Sequence, residues 1–142
     1  MTSDLIQAFI ERHAAAWNRR DAAALSLGYA EDGVIASPMF ARVEGRLAIR
    51  GTYASLFEVF PDWQIAFDTS IADGQRVAIA FSVTATHKGN FMGLEGTGRR
   101  CSFEGVSLFQ LRSDSLIKEE RRVYDFTGLL TQLGVLRVRP AR

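Results

Sequence analysis

Residues 118–125, Lys-Glu-Glu-Arg-Arg-Val-Tyr-Asp, are the densest run of side chains in this chain that could do chemistry. In an extended strand successive side chains point to opposite faces. Glu120, Arg122 and Tyr124 therefore share one face, and Glu119, Arg121 and Val123 the other. A carboxylate about 4–6 Å from a guanidinium keeps a low pKa. Such a pair suits an anionic or enolate-like oxygen held by Arg122, with Glu120 oriented as a general base. The same residues also suit a plain ion pair holding the strand ends, and both readings stay open.

Other candidates are scattered. His87 ends a strand at a hairpin, where an imidazole can pass protons near neutral pH or simply hold the turn. Asp125 precedes a final apolar helix, and an aspartate there is a good N-cap. His13 lies on the inner face of the first helix, as core histidines do. Gly89, Gly93, Gly96 and Gly98 lack the Lys-Ser/Thr and the strand-to-helix context of a phosphate loop and read as turn glycines. Ser107 has no visible histidine and acid to make it a nucleophile. One cysteine, Cys101, and two histidines far apart exclude a Cys/His metal site by count.

These residues need a frame, and the rest of the chain supplies one. At 142 residues, 47% apolar and 23% charged, the chain has the balance of one globular domain spanning 1–142. A net charge of +1 gives no bulk attraction to nucleic acid or an anionic membrane. Arginines 137, 139 and 142 read as a solvated tail. No apolar run approaches the ~20 residues of a membrane span, and Met1-Thr2-Ser3-Asp4 does not open a secretory signal. The lone Cys101 fits a reducing cytoplasm.

Helical spacing over 3–17 places Ile6, Phe9, Ile10, His13, Ala14 and Trp17 on one face, with Ser3 as N-cap. Asp21 caps a short helix through Leu27. Residues 31–33 read as a turn and 34–37 as a short strand. A third helix follows Gly45, with Leu47, Ile49, Tyr53, Leu56, Phe57 and Phe60 at helical steps, and Pro61 stops it. The period then becomes two: Trp63, Ile65, Phe67, Thr69 and Ile71 alternate, and residues 76–87, 100–111 and 116–124 form three long strands. This is an α+β layer arrangement, with helices on one face of a bent sheet and the far face left for another subunit. Small residues on the strands, including Ser102, Gly105 and Ser107, leave volume unfilled on the concave side. Trp17, Tyr29, Met39, Phe40, Phe57, Phe60 and Trp63 are expected to rim it, or simply to fill a core.

Four pieces then fall in a family order: Trp17-Asn18 with Asp21; Phe60-Pro61-Asp62; Thr86-His87-Lys88-Gly89 with Gly93 and Thr97-Gly98; and Asp125 with Gly128-Leu129-Leu130 and Gln132-Leu133-Gly134. With these the chain resembles the SnoaL-like polyketide cyclases of the NTF2-like superfamily over nearly its whole length. The resemblance implies a cystatin-like cone, three N-terminal helices against a curved, mostly antiparallel sheet enclosing a cavity, and homodimers paired through the outer sheet face. It implies ring closure by an intramolecular aldol reaction without cofactor or metal, an aspartate on the last strand removing a proton and the cavity stabilising an enolate. That aspartate's place falls on Arg122 here, and the place of an accompanying histidine on Ser107. An arginine stays protonated and cannot be the base, so that mechanism does not carry over unchanged. The family also suggests a hairpin hydrogen bond for His87.

The expected function is binding of a small hydrophobic, oxygenated molecule, with cofactor-independent cyclase, isomerase or hydrolase chemistry as its active form. Glu120, Arg122, Tyr124 and His87 are the catalytic candidates; Trp17, Tyr29, Phe40, Phe57, Phe60, Trp63 and Ser107 are the binding candidates. The alternatives are a non-catalytic binding protein and a dimeric interaction module of the same fold. A hollow closed or filled by side chains would make both small-molecule readings fail.

Overall fold

The computed structural model describes residues 2–137 and 139; Arg142 of the basic tail lies outside them. Ten elements follow one another: α1 (Ser3–Asn18), α2 (Ala22–Leu27), β1 (Tyr29–Ser37), β2 (Ala41–Glu44), α3 (Arg46–Val59), β3 (Gln64–Asp73), β4 (Arg76–Thr86), β5 (Arg100–Leu111), β6 (Ile117–Tyr124) and α4 (Phe126–Leu133). The strands make one curved sheet in the order β2-β1-β6-β5-β4-β3, antiparallel throughout except where β1 runs parallel to β6. Helix α1 packs on β3, α3 on β1 and α4 on β5. This is the α+β cone of helices against a curved sheet that the resemblance implies. No described helix is long and apolar enough to cross a membrane.

Period-two patterning fixes the concave face. In β4, Val77, Ile79, Phe81, Val83 and Ala85 are buried, as strict alternation requires. They meet Phe9, Trp17, Tyr53, Leu56 and Phe60 from the helices in one core. Burying such side chains contributes on the order of 1.5–3 kcal/mol each.

Several expectations need correction. The N-cap of α1 is Thr2, whose Oγ1 accepts from the Leu5 N–H at 3.3 Å, not Ser3. Residues 31–33 do not turn. They lie inside β1, which shifts register against β6 between Tyr29 and Val34. Gly33 permits this kink, since a Cβ there would stand 3.0 Å from the carbonyl oxygens of both Ala30 and Ile117. The four-residue β2 went unseen because so short a polar strand shows no alternation. Leu47 is 85% exposed. The buried positions of α3 are Ile49, Tyr53 and Leu56, and two residues before Ile49 falls on the opposite side of the helix. In β3 the register shifts between Phe67 and Ser70, so Ile71 points outward and is 71% exposed. A one-residue slip moves every later side chain to the other face.

Candidate functional site

The charged face of β6 closes on itself at the heart of the cone. Glu120 is 1% exposed, and the Arg122 side chain retains 9% of its surface. Arg122 Nε donates to Glu120 Oε2 at 2.8 Å and its Nη2 to Oε1 at 3.3 Å. Ser107, opposite Arg122 on β5, donates to Oε2 at 3.2 Å. The Tyr29 hydroxyl, from the start of β1, donates to Oε1. That uses Tyr29's single proton, so Tyr53 of α3 must donate to Tyr29 across 2.7 Å. The Tyr53 oxygen in turn accepts from Arg122 Nη2 at 2.7 Å. The guanidinium also stands 5.3 Å from the Trp17 ring centre and 5.4 Å from that of Tyr53, within cation–π range.

Electrostatics follow from this packing. Burial alone would raise the Glu120 carboxyl, but the Arg122 charge and hydrogen bonds outweigh it, so the pKa lies below the ordinary value. Burial likewise opposes the charge on Arg122, but Glu120 reverses the balance and the guanidinium stays protonated. Burial raises the hydroxyls of Tyr29 and Tyr53, which remain neutral donors. Burial lowers His13 to about 4. Its neutral Nε2 accepts from the Trp17 indole N–H at 3.2 Å, fixing the ring on which Arg122 rests.

Beside this network lies an apolar hollow lined by Trp17, Met39, Phe40, Leu56, Trp63, Ile65, Phe67, Phe81, Phe103, Ser107, Arg122 and Tyr124. Its free space is about 20 Å³, room for roughly one water. The volume that small strand residues were expected to leave open is taken by large neighbours. Gly105 is the clearest case, since a Cβ there would lie 2.6 Å from Phe81 Cζ. Arg122 Nη1 donates to no described residue, and the buried Trp63 Nε1 has no partner among the described residues.

Of the sequence candidates, Trp17, Phe40, Trp63, Ser107, Arg122 and Tyr124 therefore meet at the hollow. Glu120 sits behind Arg122 and does not line it, and all its acceptor positions are used. A base aimed at a ligand needs a free lone pair, so Glu120 acts here as the charge partner of Arg122. Tyr29 belongs to the network rather than to the rim. Phe57 and Phe60 pack in the core, Phe60 beside Trp63. His87 stands apart, fully buried between Phe60 and Phe91, and its Nδ1 pairs with Thr97 Oγ1 at 3.0 Å. That is the hairpin bond the resemblance suggested. Tyr53 was seen only as part of a helical face; the usable signal was a phenol in an apolar stripe, which needs a partner once buried. Among the described residues, no three His, Cys, Asp or Glu side chains cluster as a metal site would require.

The remaining motif residues tie the frame together. Asn18 grips Ile65 twice, side-chain amide to carbonyl and backbone N–H to side-chain oxygen, each at 2.9 Å. Gln132 does the same to Ser102 at 2.8 Å. Asp62 accepts from the Thr86 N–H at 2.7 Å and its hydroxyl at 2.6 Å. Asp21 and Asp125 cap α2 and α4.

Comparison with known proteins agrees with this frame. None of the curated proteins matches the chain. Among solved structures, AclR from Streptomyces galilaeus, a proposed hydroxylase, is 31% identical with a TM-score of 0.80, over 94% of this chain and 83% of that one. IdmH from Streptomyces antibioticus, a proposed polyketide cyclase, is 26% identical with a TM-score of 0.75, over 90% and 97% of the two chains. A SnoaL-like protein from Jannaschia sp. CCS1 shares the fold at 20% identity and a TM-score of 0.77, over 91% and 93%. The family model for SnoaL-like polyketide cyclases matches residues 7–133. On that match and the cone just described, the chain belongs to the SnoaL-like polyketide cyclase family.

Proposed function

We propose that the chain takes a small apolar, oxygenated molecule into this hollow, with Arg122 holding its anionic or enolised oxygen. One observation carries this reading. A guanidinium set among aromatic walls has its Nε and Nη2 fixed by Glu120 and Tyr53 and its Nη1 left over. In low dielectric such a donor stabilises negative oxygen far more than it would in water. Cyclase- or isomerase-type chemistry would use this stabilisation on an enolate. The non-catalytic alternative draws support from Glu120, whose lone pairs are all engaged, so binding is the primary role proposed.

As it stands the hollow is nearly filled, the outcome set against a preformed ligand cavity. The proposed binding holds only if a ligand makes room, because a cavity that holds benzene runs to about 150 Å³. Met39 and Phe40 are the walls best placed to yield. They lie on the turn between β1 and β2, and β2 is a four-residue strand at the sheet edge. Outside, Val106, Leu108 and Val123 are 37%, 41% and 48% exposed on adjacent strands, a face suited to a second copy of the chain. The unpaired Cys101 is in keeping with a cytoplasmic setting.

The test is titration calorimetry with 2-hydroxy-1,4-naphthoquinone, an apolar bicycle that is anionic at neutral pH. Binding is expected in the unmodified protein, with at least a tenfold loss in Arg122→Lys, which keeps the charge but loses the planar fork. Failure of the unmodified protein to bind, or an undiminished affinity in Arg122→Lys, refutes the role given to Arg122.

A further inference from the structure

Trp63 is 5% exposed, yet its indole N–H finds no acceptor among the described residues. Leaving such a donor unpaired in the interior is costly, because its hydrogen bond to water in the unfolded chain is not replaced. Most buried side-chain donors in folded proteins are paired, so each exception calls for a reason. The indole is held on several sides. The ring stacks on Trp17 at 5.6 Å and 18°, meets Phe60 at 5.6 Å and Phe103 at 5.8 Å, and its carbonyl accepts from Arg20 at 3.0 Å. Trp17, by contrast, has its own N–H satisfied by His13. The two indoles are stacked and similarly buried; the one that lines the hollow beside Arg122 without an internal acceptor is Trp63.

We infer that the Trp63 indole N–H is a second recognition donor of the hollow, so that with Arg122 it favours ligands whose buried end offers acceptor oxygens, such as a carbonyl, enolate, quinone or carboxylate. This rests on the reading that an oxygenated molecule enters the hollow, and it narrows the class. Arg122 and Trp63 can only donate, and Arg122 is a cation, so an ammonium end is disfavoured although the Ser107 and Tyr124 hydroxyls of the same lining can accept. An unsubstituted hydrocarbon leaves both donors unpaired. Met39, Phe40, Phe67 and Phe81 supply the apolar walls for the rest of the molecule.

The experiment uses the full chain labelled with 15N. Its two tryptophans give two indole N–H signals, and Trp17, already bonded to His13, serves as the internal reference. On adding 2-hydroxy-1,4-naphthoquinone, the Trp63 proton should move downfield as it gains an acceptor, while that of Trp17 moves much less. Trp63→Phe assigns the signal and should weaken this probe about 10- to 100-fold, while changing naphthalene binding little. If the probe binds in an Arg122-dependent way and the Trp63 signal stays put, the inference is wrong and the proposed function survives. The inference also fails if naphthalene binds as tightly as the naphthoquinone. Should neither probe bind, the hollow is no ligand site and both readings fall. The signal of the unmodified protein decides the matter even if Trp63→Phe folds poorly.

Discussion

Replacing Arg122 by methionine tests how far the central ion pair is desolvated. The substitution roughly preserves length and volume but leaves Glu120, 1% exposed, with only Tyr29 and Ser107 as donors. Removing one partner of a buried pair costs about 3–5 kcal/mol, because the other charge stays behind uncompensated. For a domain of this size that corresponds to a fall of roughly 10–15 °C in melting temperature. The loss must also depend on pH. With Arg122 present the folded carboxyl has a lowered pKa, so its stabilisation holds above the unfolded pKa and is lost as pH falls through the folded one. With methionine there, burial, the largest cause, is opposed by the lesser effects of His13 and the Tyr29 hydrogen bond, and the pKa rises; the folded carboxyl takes its proton first, and acid relieves the defect. Urea unfolding followed by tryptophan fluorescence should therefore show the largest gap between the two proteins near pH 7, narrowing towards pH 4. The double variant Glu120→Gln with Arg122→Met should recover half or more of the loss, since no charge is then stranded. A loss below about 1 kcal/mol at pH 7, or the same loss at both pH values, would refute the burial argument.

Three further outcomes follow from other parts of the molecule. Gly105→Ala forces a Cβ to 2.5 Å from the Val123 carbonyl oxygen and 2.6 Å from Phe81 Cζ, so a loss of about 1–3 kcal/mol in urea unfolding is expected, and a neutral result would mean that β5 shifts freely. His13 is lowered from 6.5 to about 4 by burial, so the unfolded chain binds the extra proton across that window. Stability should fall by up to roughly 3 kcal/mol as pH drops through it; His13→Gln should flatten this part of the profile, and an unchanged slope would assign the pH dependence to other groups. Leu108→Arg, on the outer sheet face, should convert a dimer to a monomer in sedimentation equilibrium, whereas a monomeric unmodified protein at micromolar concentration would rule out the proposed pairing.

Much of the frame was legible in the sequence because the two periodicities are strong. Ile49, Tyr53 and Leu56 mark a helix, and Val77 to Ala85 mark a strand, without any knowledge of the partner elements. What escaped depends on contacts between segments distant in the chain. Gly33 allows a kink or a turn, and the parallel pairing of β1 with β6 decides between them. Ile71 alternates correctly in sequence, and only the bulge in β3 against β4 sends it outward. At the site, the face shared by Glu120, Arg122 and Tyr124 could be read from strand spacing. The occupancy of Glu120 could not, because its donors Tyr29 and Ser107 come from two other strands, and Tyr53, next in the chain of hydroxyls, comes from a helix.

The family motif and the chemistry occupy different parts of the fold. Asn18, Asp62, His87, Asp125 and Gln132 each bond to backbone or to a neighbouring turn, holding α1, α4 and the hairpin to the sheet. They specify a cone and say nothing of what happens within it. Positions 107 and 122 face each other across β5 and β6 at the hollow, and nothing in the clamps constrains their identity. An arginine at 122 brings its own requirement, a buried anion, which Glu120 meets from two residues away, and the carboxylate so engaged is no longer free for an incoming ligand. Under the proposed function, an arginine at the place where the resemblance implies a proton-accepting aspartate would hold a negative oxygen rather than create one by removing a proton. On that reading the frame of the family stays while the interior chemistry turns on a single strand position, which the affinity of Arg122→Lys for an anionic ligand would decide.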